Sequence, residues 1–208
     1  MQQQSSYITR QEYLELERQS ETKNEYWNGE IHPMDRVNVQ HSFIVTNVIA
    51  TLGLQLKKSP CIVYVGNLRL RVSSTGLYTY TNLLVVCGQA KIEDEDKVLN
   101  PTVVVEALSK STQSYDRGVK FEHYRTLESL TDYLLISQDR ASVEHRMRQP
   151  DGRWLLSIYQ GLDSVVPIPS IDCELQLADV YERIEWSNED AARGWLRFVK
   201  EPSEAYLA

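Results

Sequence analysis

An unbroken run of β-branched residues, Val103-Val104-Val105, constrains the fold of this chain more than any other feature. Such a run indicates a strand buried on both faces, which requires a sheet with other elements packed on each side. Glu106 follows the valines, and a polar loop then leads to a segment that begins at Asp116 and carries Lys120. Ligands bind beyond strand ends in open α/β sheets, so Asn100 to Arg125 is the first candidate for a functional site.

Sequence patterns on either side of this segment predict a mixed α/β sheet flanked by helices. The capping-box pattern Thr9-x-x-Glu12 predicts a first helix that ends near Ser20, and apolar spacing predicts the main core helix from about Asn38 to Lys58. Asn28-Gly29 predicts a hairpin with a type I′ turn. The remaining expected elements are a helix from Asp116 to about Leu127 and strands at Ile62–Val65, Leu68–Val72, Leu83–Val86, Thr102–Leu108, Tyr133–Ile136, Val143–Met147 and Trp154–Tyr159.

The net charge of −7, from 22 basic and 29 acidic residues, argues against broad, non-specific binding of phosphates. It does not exclude a local basic cleft, because the charges are unevenly distributed. Acids are concentrated at Glu93-Asp94-Glu95-Asp96 and toward the carboxyl terminus, whereas Lys110, Arg117, Lys120 and Arg125 lie within or beside the first candidate site.

The sequence contains no run of about 20 apolar residues and no signal-peptide pattern, so we expect a soluble, cytoplasmic protein without membrane association. Residues 1–184 are expected to form one domain, followed by a polar tail at 185–208. Cys61, Cys87 and Cys173 are far apart and lie in apolar contexts, which favours buried thiols over a disulfide framework or a zinc site.

Four polar residues near predicted strand ends and on the predicted third helix form the candidate site: Glu30, Asn82, Glu106 and Lys120. Together they are similar to a Mg²⁺ site for phosphodiester hydrolysis in which an amide has replaced one carboxylate. In such a site a lysine can position the attacking water or stabilise the charge that develops on phosphorus. These four residues therefore indicate a degenerate metal site.

Glu106, Lys120 and two neighbouring candidates also have simpler structural interpretations. Glu106 can be a solvated acid at a strand end, and Lys120 can pack its aliphatic stem while its amine reaches water. Asp116 is expected to cap its helix. His41 shares a face with apolar residues of the core helix, which favours a core or cleft-edge role over catalysis.

Candidate contacts to nucleic acid lie in the loop and helix after the valine strand. Ser109, Lys110 and Arg117 carry donors suited to phosphate oxygens. A polar loop between a strand and a helix needs no ligand to explain it, however, and Arg117 is equally suited to a salt bridge.

At these residues the chain resembles the Uma restriction endonuclease family, a branch of the PD-(D/E)xK nuclease superfamily. The resemblance covers roughly Tyr7 to Arg183, and the order of its parts is more specific than any single part. Those parts are Tyr26-Trp27-Asn28-Gly29-Glu30, the helix that carries His41, Tyr80-Thr81-Asn82-Leu83-Leu84-Val85-Val86, Val105-Glu106-Ala107-Leu108-Ser109, Asp116-Arg117 with Lys120, and Tyr124-Arg125.

The resemblance implies a restriction-endonuclease-like mixed sheet flanked by helices, with additional antiparallel strands, Mg²⁺ or Mn²⁺ as cofactor and DNA as substrate. Glu30 would be an accessory acid, Glu106 a metal-binding carboxylate and Lys120 the catalytic lysine. The family has Pro-Asp where this chain has Thr81-Asn82, and proline at the position of Lys110. The aspartate that names the superfamily is therefore absent.

Asparagine offers Mg²⁺ a carbonyl oxygen but no charge, so we expect weak or absent metal binding and an impaired DNA endonuclease. The alternatives are a catalytically inactive protein of nuclease fold that binds DNA or a partner, and an interaction domain without a nucleic-acid role. Many nucleases that cut duplexes act as pairs, so a homodimer is expected by analogy.

Overall fold

The computed structural model describes residues 7–35 and 37–186. Within these ranges the helices are α1 (Arg10–Gln19), α2 (Val39–Gln55), α3 (Gln113–Arg117), α4 (Val119–Tyr124) and α5 (Leu177–Val180). The strands are β1 (Asn24–Trp27), β2 (Glu30–Pro33), β3 (Cys61–Val65), β4 (Arg69–Val72), β5 (Leu77–Tyr80), β6 (Leu83–Cys87), β7 (Ile92–Glu93), β8 (Lys97–Val98), β9 (Val103–Leu108), β10 (Asp132–Ser137), β11 (Ser142–Arg148), β12 (Trp154–Gln160), β13 (Val165–Ile168) and β14 (Cys173–Gln176).

The central sheet has the strand order β12-β11-β10-β9-β6-β3 and is mixed, because β9 and β10 are parallel and the other pairs are antiparallel. A second sheet, β2-β1-β5-β4-β8-β7, carries the amino-terminal hairpin, and β13 pairs with β14 in a third. Elements on both sides cover the central sheet, which confirms the predicted fold class.

Strand β9 is buried at every residue, as the valine run predicts. Val103, Val105 and Ala107 pack on the side of α2 and α5, whereas Val104 and Leu108 pack on the side of α4 with Phe121 and Tyr124. Glu106 shares the second face by alternation. Its carboxylate therefore lies inside the structure, under α4, rather than in solvent at a strand end.

Two local predictions at the amino terminus are confirmed. Thr9 caps α1 in a capping box, in which its hydroxyl accepts from Glu12 N and the Glu12 carboxylate accepts from Thr9 N. Asn28 and Gly29 have φ values of 53° and 81°, and the hairpin register pairs Trp27 with Glu30. Both positive angles are those that a type I′ turn requires.

The predicted helix from Asp116 to Leu127 is wrong at its start and in its continuity. Helix α3 begins at Gln113, and the chain breaks at Gly118 before α4. Asp116 is consequently not a helix cap but a buried residue inside α3. Asp116 and Lys120 lie within salt-bridge distance of each other across this break.

The prediction of free thiols is wrong for two of the three cysteines. Cys61 and Cys87 lie opposite each other on β3 and β6 and form a disulfide, whereas Cys173 is a buried free thiol. Strands β5, β7, β8, β13 and β14 and helix α5 were also not predicted. The predicted tail at 185–208 lies outside the described residues from 187 onward, and no described helix is long and apolar enough to cross a membrane.

Candidate active site

A cavity of about 330 Å³ opens where β6 and β9 meet the β1-β2 hairpin and the start of α2. Its floor is polar, and its walls include aromatic and apolar side chains of the hairpin and of the following loop. The lining residues are Glu25, Trp27, His32, Pro33, Met34, Asp35, Val37, Asn38, His41, Asn82, Glu106, Ala107, Ser109, Thr112, Tyr115, Asp116, Lys120 and Gln138.

Antiparallel pairing of β6 with β9 places Asn82 beside Glu106. The Asn82 backbone N–H donates to Glu106 Oε2 at 3.0 Å, and the Ala107 backbone N–H donates to Asn82 Oδ1 at 2.6 Å. Both contacts follow from the register that pairs Leu83 with Val105. The Asn82 side chain thus acts as a clamp that holds the start of β6 against β9.

The amine of Lys120 lies at the point where three buried carboxylates converge. Its Nζ is 2.9 Å from Glu106 Oε1, 3.2 Å from Glu25 Oε1 and 3.6 Å from Asp116 Oδ1. The side chain of Lys120 is 4% exposed, so solvent screens these attractions little. Lys120 is therefore a buried lysine that forms ion pairs with three carboxylates, and its amine does not reach water.

The protonation behaviour of this cluster follows from burial and from the shared lysine. Burial raises the pKa of Glu106 to about 7, despite the opposing attraction of Lys120. Burial also raises the pKa of Asp116. Burial opposes ionisation of Glu25 as well, but Lys120 and two hydroxyl donors hold the pKa of Glu25 below its usual value. Burial alone would lower the pKa of Lys120. The surrounding carboxylates raise this pKa instead, so the amine stays charged.

Glu25, rather than Glu30, is the hairpin acid that reaches the cluster. Glu25 accepts hydrogen bonds from the hydroxyls of Thr79 and Tyr115, the latter at 2.7 Å. Glu30 has a side chain that is 52% exposed and lies 3.7 Å from His32 at the cavity, but Glu30 does not itself line the cavity. The structure therefore does not bring Glu30 together with Glu106 and Lys120. Alternation along β1 puts Glu25 on the same face as Trp27, which was an available signal.

The three candidate nucleic-acid contacts are not brought together. Ser109 lines the cavity rim and lies within hydrogen-bond distance of the Ser111 and Thr112 hydroxyls. Lys110 is exposed on the same loop. Arg117 instead points to β11, where its Nε donates to Glu144 at 2.8 Å. Of its two predicted alternatives, the structure shows the salt bridge.

The family model for Uma2, described as "Putative restriction endonuclease", matches residues 10–179. The chain belongs to the Uma2 family. Two Synechocystis proteins are similar to this Uma2 chain: "Uncharacterized protein sll1609" is 33% identical over 156 residues, covering 74% of the chain and 88% of that protein. "Uncharacterized protein slr1290" is 31% identical over 156 residues, covering 75% and 82% respectively.

A solved structure shows the same fold as this Uma2 chain. It is described as a "putative nuclease belonging to DUF820" from Anabaena variabilis and superposes with a TM-score of 0.69 at 20% sequence identity. The match covers 84% of the chain and 97% of the Anabaena protein. The restriction-endonuclease-like fold inferred from the sequence is therefore confirmed.

The side chains of this Uma2 chain do not fit a divalent cation as they are arranged. Mg²⁺ requires several oxygen donors around one point, and here that point is held by the Lys120 amine. Asn82 Oδ1 already accepts from Ala107, and Glu106 Oε2 accepts from the Asn82 backbone. Within residues 7–35 and 37–186, no group of three His, Cys, Asp or Glu side chains is placed to hold a metal ion.

Proposed function

We propose that this protein is a DNA endonuclease of the PD-(D/E)xK type whose metal-dependent cleavage is impaired. The observation that carries the proposal is the meeting of Asn82, Glu106 and Lys120 in one cavity at the start of β6. Glu106 and Lys120 are the acid and the lysine that the family resemblance assigns to the reaction. The amide at position 82, where the family has an aspartate, is the difference that impairs the reaction.

The impairment follows from charge. Phosphodiester hydrolysis places negative charge on the phosphate oxygens, and a bound Mg²⁺ would neutralise part of it. Asn82 contributes no charge to hold such an ion, and changes even to outer residues of metal sites cost about 10–100-fold in affinity or activity. Lys120 is also committed to three carboxylates, so it is not available to a phosphate in this arrangement.

Asn82→Asp is the direct test, because it changes one amide to a carboxylate without changing the shape of the side chain. Calorimetric titration with Mg²⁺ or Mn²⁺ should show binding that rises at least about 10-fold in the variant. Cleavage of duplex, single-stranded and branched DNA should rise with it. Adding Glu106→Ala or Lys120→Ala should abolish the gain.

Asn67→Asp is the matched control, since it adds the same charge away from the cavity and keeps the oxygen that accepts from Lys23. It should leave metal binding and cleavage unchanged. An Asn82→Asp variant that folds but shows neither tighter metal binding nor cleavage of any of the three DNA forms would overturn the proposal.

A second candidate, a catalytically inactive nuclease-fold protein that binds DNA or a partner, is favoured by the closed polar network. Every carboxylate of the cluster already has a protein partner in Lys120, so none of them needs a metal ion as its partner. DNA binding in EDTA, measured by fluorescence anisotropy, should then weaken steeply with salt. Lys110→Ala and Arg117→Ala should weaken binding, and no binding at low salt would exclude a DNA role.

We also propose an oligomeric state and a cellular location for the reaction. Cleavage of both strands of a duplex by one type of site is served by two copies, so we propose a homodimer acting on cytoplasmic DNA. Sedimentation equilibrium of the purified chain, with and without duplex DNA, would detect the dimer. A monomer under both conditions would contradict this part of the proposal.

A further inference from the structure

His41 lies between two side-chain amides at the edge of the cavity. Its Nε2 is 2.9 Å from Asn82 Nδ2, and its Nδ1 is 3.2 Å from the nitrogen end of the Gln138 amide. The ring is 8% exposed and is held in the first turn of α2, where the His41 backbone N–H donates to Asn38 Oδ1 at 2.8 Å. The two ring nitrogens therefore depend on these amides for hydrogen bonds.

The two amide nitrogens cannot both donate to this ring. A neutral imidazole has one N–H and one lone pair, and a protonated imidazolium has no lone pair in the ring plane. One of the two amides must consequently present its carbonyl oxygen to His41. Oxygen and nitrogen of a side-chain amide are assigned from the hydrogen bonds around them, so the neighbours decide which one turns.

Asn82 is the amide whose orientation is fixed. Its Oδ1 accepts the Ala107 backbone N–H at 2.6 Å, and turning the amide would bring its NH₂ group against that donor. Gln138 has no second side-chain hydrogen bond among the described residues, so turning its amide breaks no other contact. The oxygen of Gln138 must therefore face Nδ1, and Nδ1 must carry the proton.

We propose that His41, as a neutral imidazole protonated on Nδ1, is a positioning residue that holds Asn82 with its amide nitrogen toward the ring. Position 82 is then a hydrogen-bond donor, and its oxygen is retained by the β9 backbone. Two neighbours on opposite sides of the amide, Ala107 and His41, enforce the same orientation. Burial lowers the pKa of His41, which is consistent with a neutral ring.

The consequence concerns which ligands the site accepts. An N–H donor at position 82 repels a cation and favours a hydrogen-bond acceptor. Because His41 holds Asn82 in this orientation, it helps to exclude divalent metals from the site. An aspartate at this position would keep one oxygen on Ala107 N–H and present the other to His41. The ring would then have to donate from Nε2, and Gln138 would donate to Nδ1. One atom at position 82 thus selects the tautomer of His41 and the orientation of Gln138.

This inference rests on the proposed impairment of metal-dependent cleavage, for which it supplies a cause. The tautomer of His41 can be measured without DNA or metal. Long-range ¹H–¹⁵N correlation spectra of the ¹⁵N-labelled, metal-free full chain at pH 8 report which ring nitrogen carries the proton. The signals that vanish in His41→Gln are those of His41. We expect a protonated Nδ1 in the native chain and a protonated Nε2 in Asn82→Asp.

Substitutions at Gln138 test whether Asn82 sets the tautomer. A carboxylate can only accept at pH 8, so Gln138→Glu should keep Nδ1 protonated. Gln138→Leu should keep it as well, because the Asn82 amide still donates to Nε2, although Nδ1–H then loses its acceptor. A native chain with Nε2 protonated, or with the exchange-averaged tautomers of an exposed histidine, would overturn the inference.

The outcomes for the two proposals are distinguishable. A protonated Nδ1 combined with no gain of cleavage by Asn82→Asp would retain the positioning role and refute the endonuclease. A gain of cleavage combined with a protonated Nε2 in the native chain would do the reverse.

Discussion

Replacing Lys120 with methionine should destabilise the fold strongly and in a pH-dependent way. Each of its three carboxylate contacts, at 2.9 to 3.6 Å, is worth about 5 kcal/mol of attraction at an effective dielectric of about 20. Desolvation of the buried amine and repulsion among the carboxylates cancel most of this. Breaking a buried pair by removing one partner costs about 3–5 kcal/mol, because the other charge is left uncompensated.

Methionine keeps most of the volume of the side chain, so the measured loss reports charge rather than a cavity. Urea unfolding of Lys120→Met at pH 8 should show a free energy of unfolding lower by about 3–5 kcal/mol. For a chain of this size the melting temperature should fall by about 6–20 °C. At pH 5 the loss should be less than half as large, since the carboxyl groups whose pKa burial raises, Glu106 and Asp116, protonate more readily in the folded variant.

Lys58→Met provides the matched control, because Lys58 is exposed at the end of the turn after α2. Its substitution should change stability by no more than about 0.5 kcal/mol. A loss below about 1 kcal/mol for Lys120→Met, or one of equal size at pH 5 and pH 8, would refute the description of Lys120 as the partner of three buried carboxylates.

Three further substitutions test the protonation of Glu106 and the backbone at two glycines. Glu106→Gln removes a group whose pKa is raised from 4.5 to about 7 in the folded state, so the stability that this group contributes is present below pH 4.5 and is lost as the pH rises through 7. Relative to the native chain, the variant should gain about 3 kcal/mol between pH 4.5 and 7.5 in urea unfolding, and parallel pH profiles would contradict the assignment. Gly29→Ala should cost about 1–2 kcal/mol, because φ is +81° and the added Cβ would lie 2.2 Å from the Tyr7 ring. Gly53→Ala on the exposed face of α2, with no neighbour within 4 Å, should instead stabilise by about 0.5–1 kcal/mol; the same sign for both would show that turn geometry is not the cause.

Elements with strong local signals were predictable from the sequence. The Thr9 capping box, the Asn28-Gly29 turn and the valine strand each carry their information within a few residues, and all three are confirmed. Strand β5 was not predicted, because Leu77–Tyr80 is short and its pairing with β1 and β4 is set by tertiary contacts. The disulfide likewise depends on β3 and β6 lying side by side, which the spacing of Cys61 and Cys87 does not reveal.

The candidate site was only partly predictable for a related reason. Asn82 and Glu106 were identified because they lie at the ends of apolar strands, and Lys120 because it lies on a predicted helix after the valine strand. The structure brings these three together. Glu25 was missed because an acid inside a hairpin strand resembles an ordinary solvated residue. Its burial depends on Thr79 in β5 and on Tyr115 and Lys120 in α3 and α4, which are distant from β1 in the chain.

The clustering of Glu25, Glu106 and Asp116 around one amine suggests a reason for an amide at position 82. A fourth carboxylate would add a buried negative charge beside Glu106 with no second lysine among the cavity-lining residues to balance it. Without a metal, such a chain would carry the repulsion as a loss of stability. Asparagine keeps the clamp on Ala107 and removes the repulsion. An amide at position 82 thus stabilises the fold without a bound ion but lacks the charge that a metal site would use, as expected for a trade-off between activity and stability.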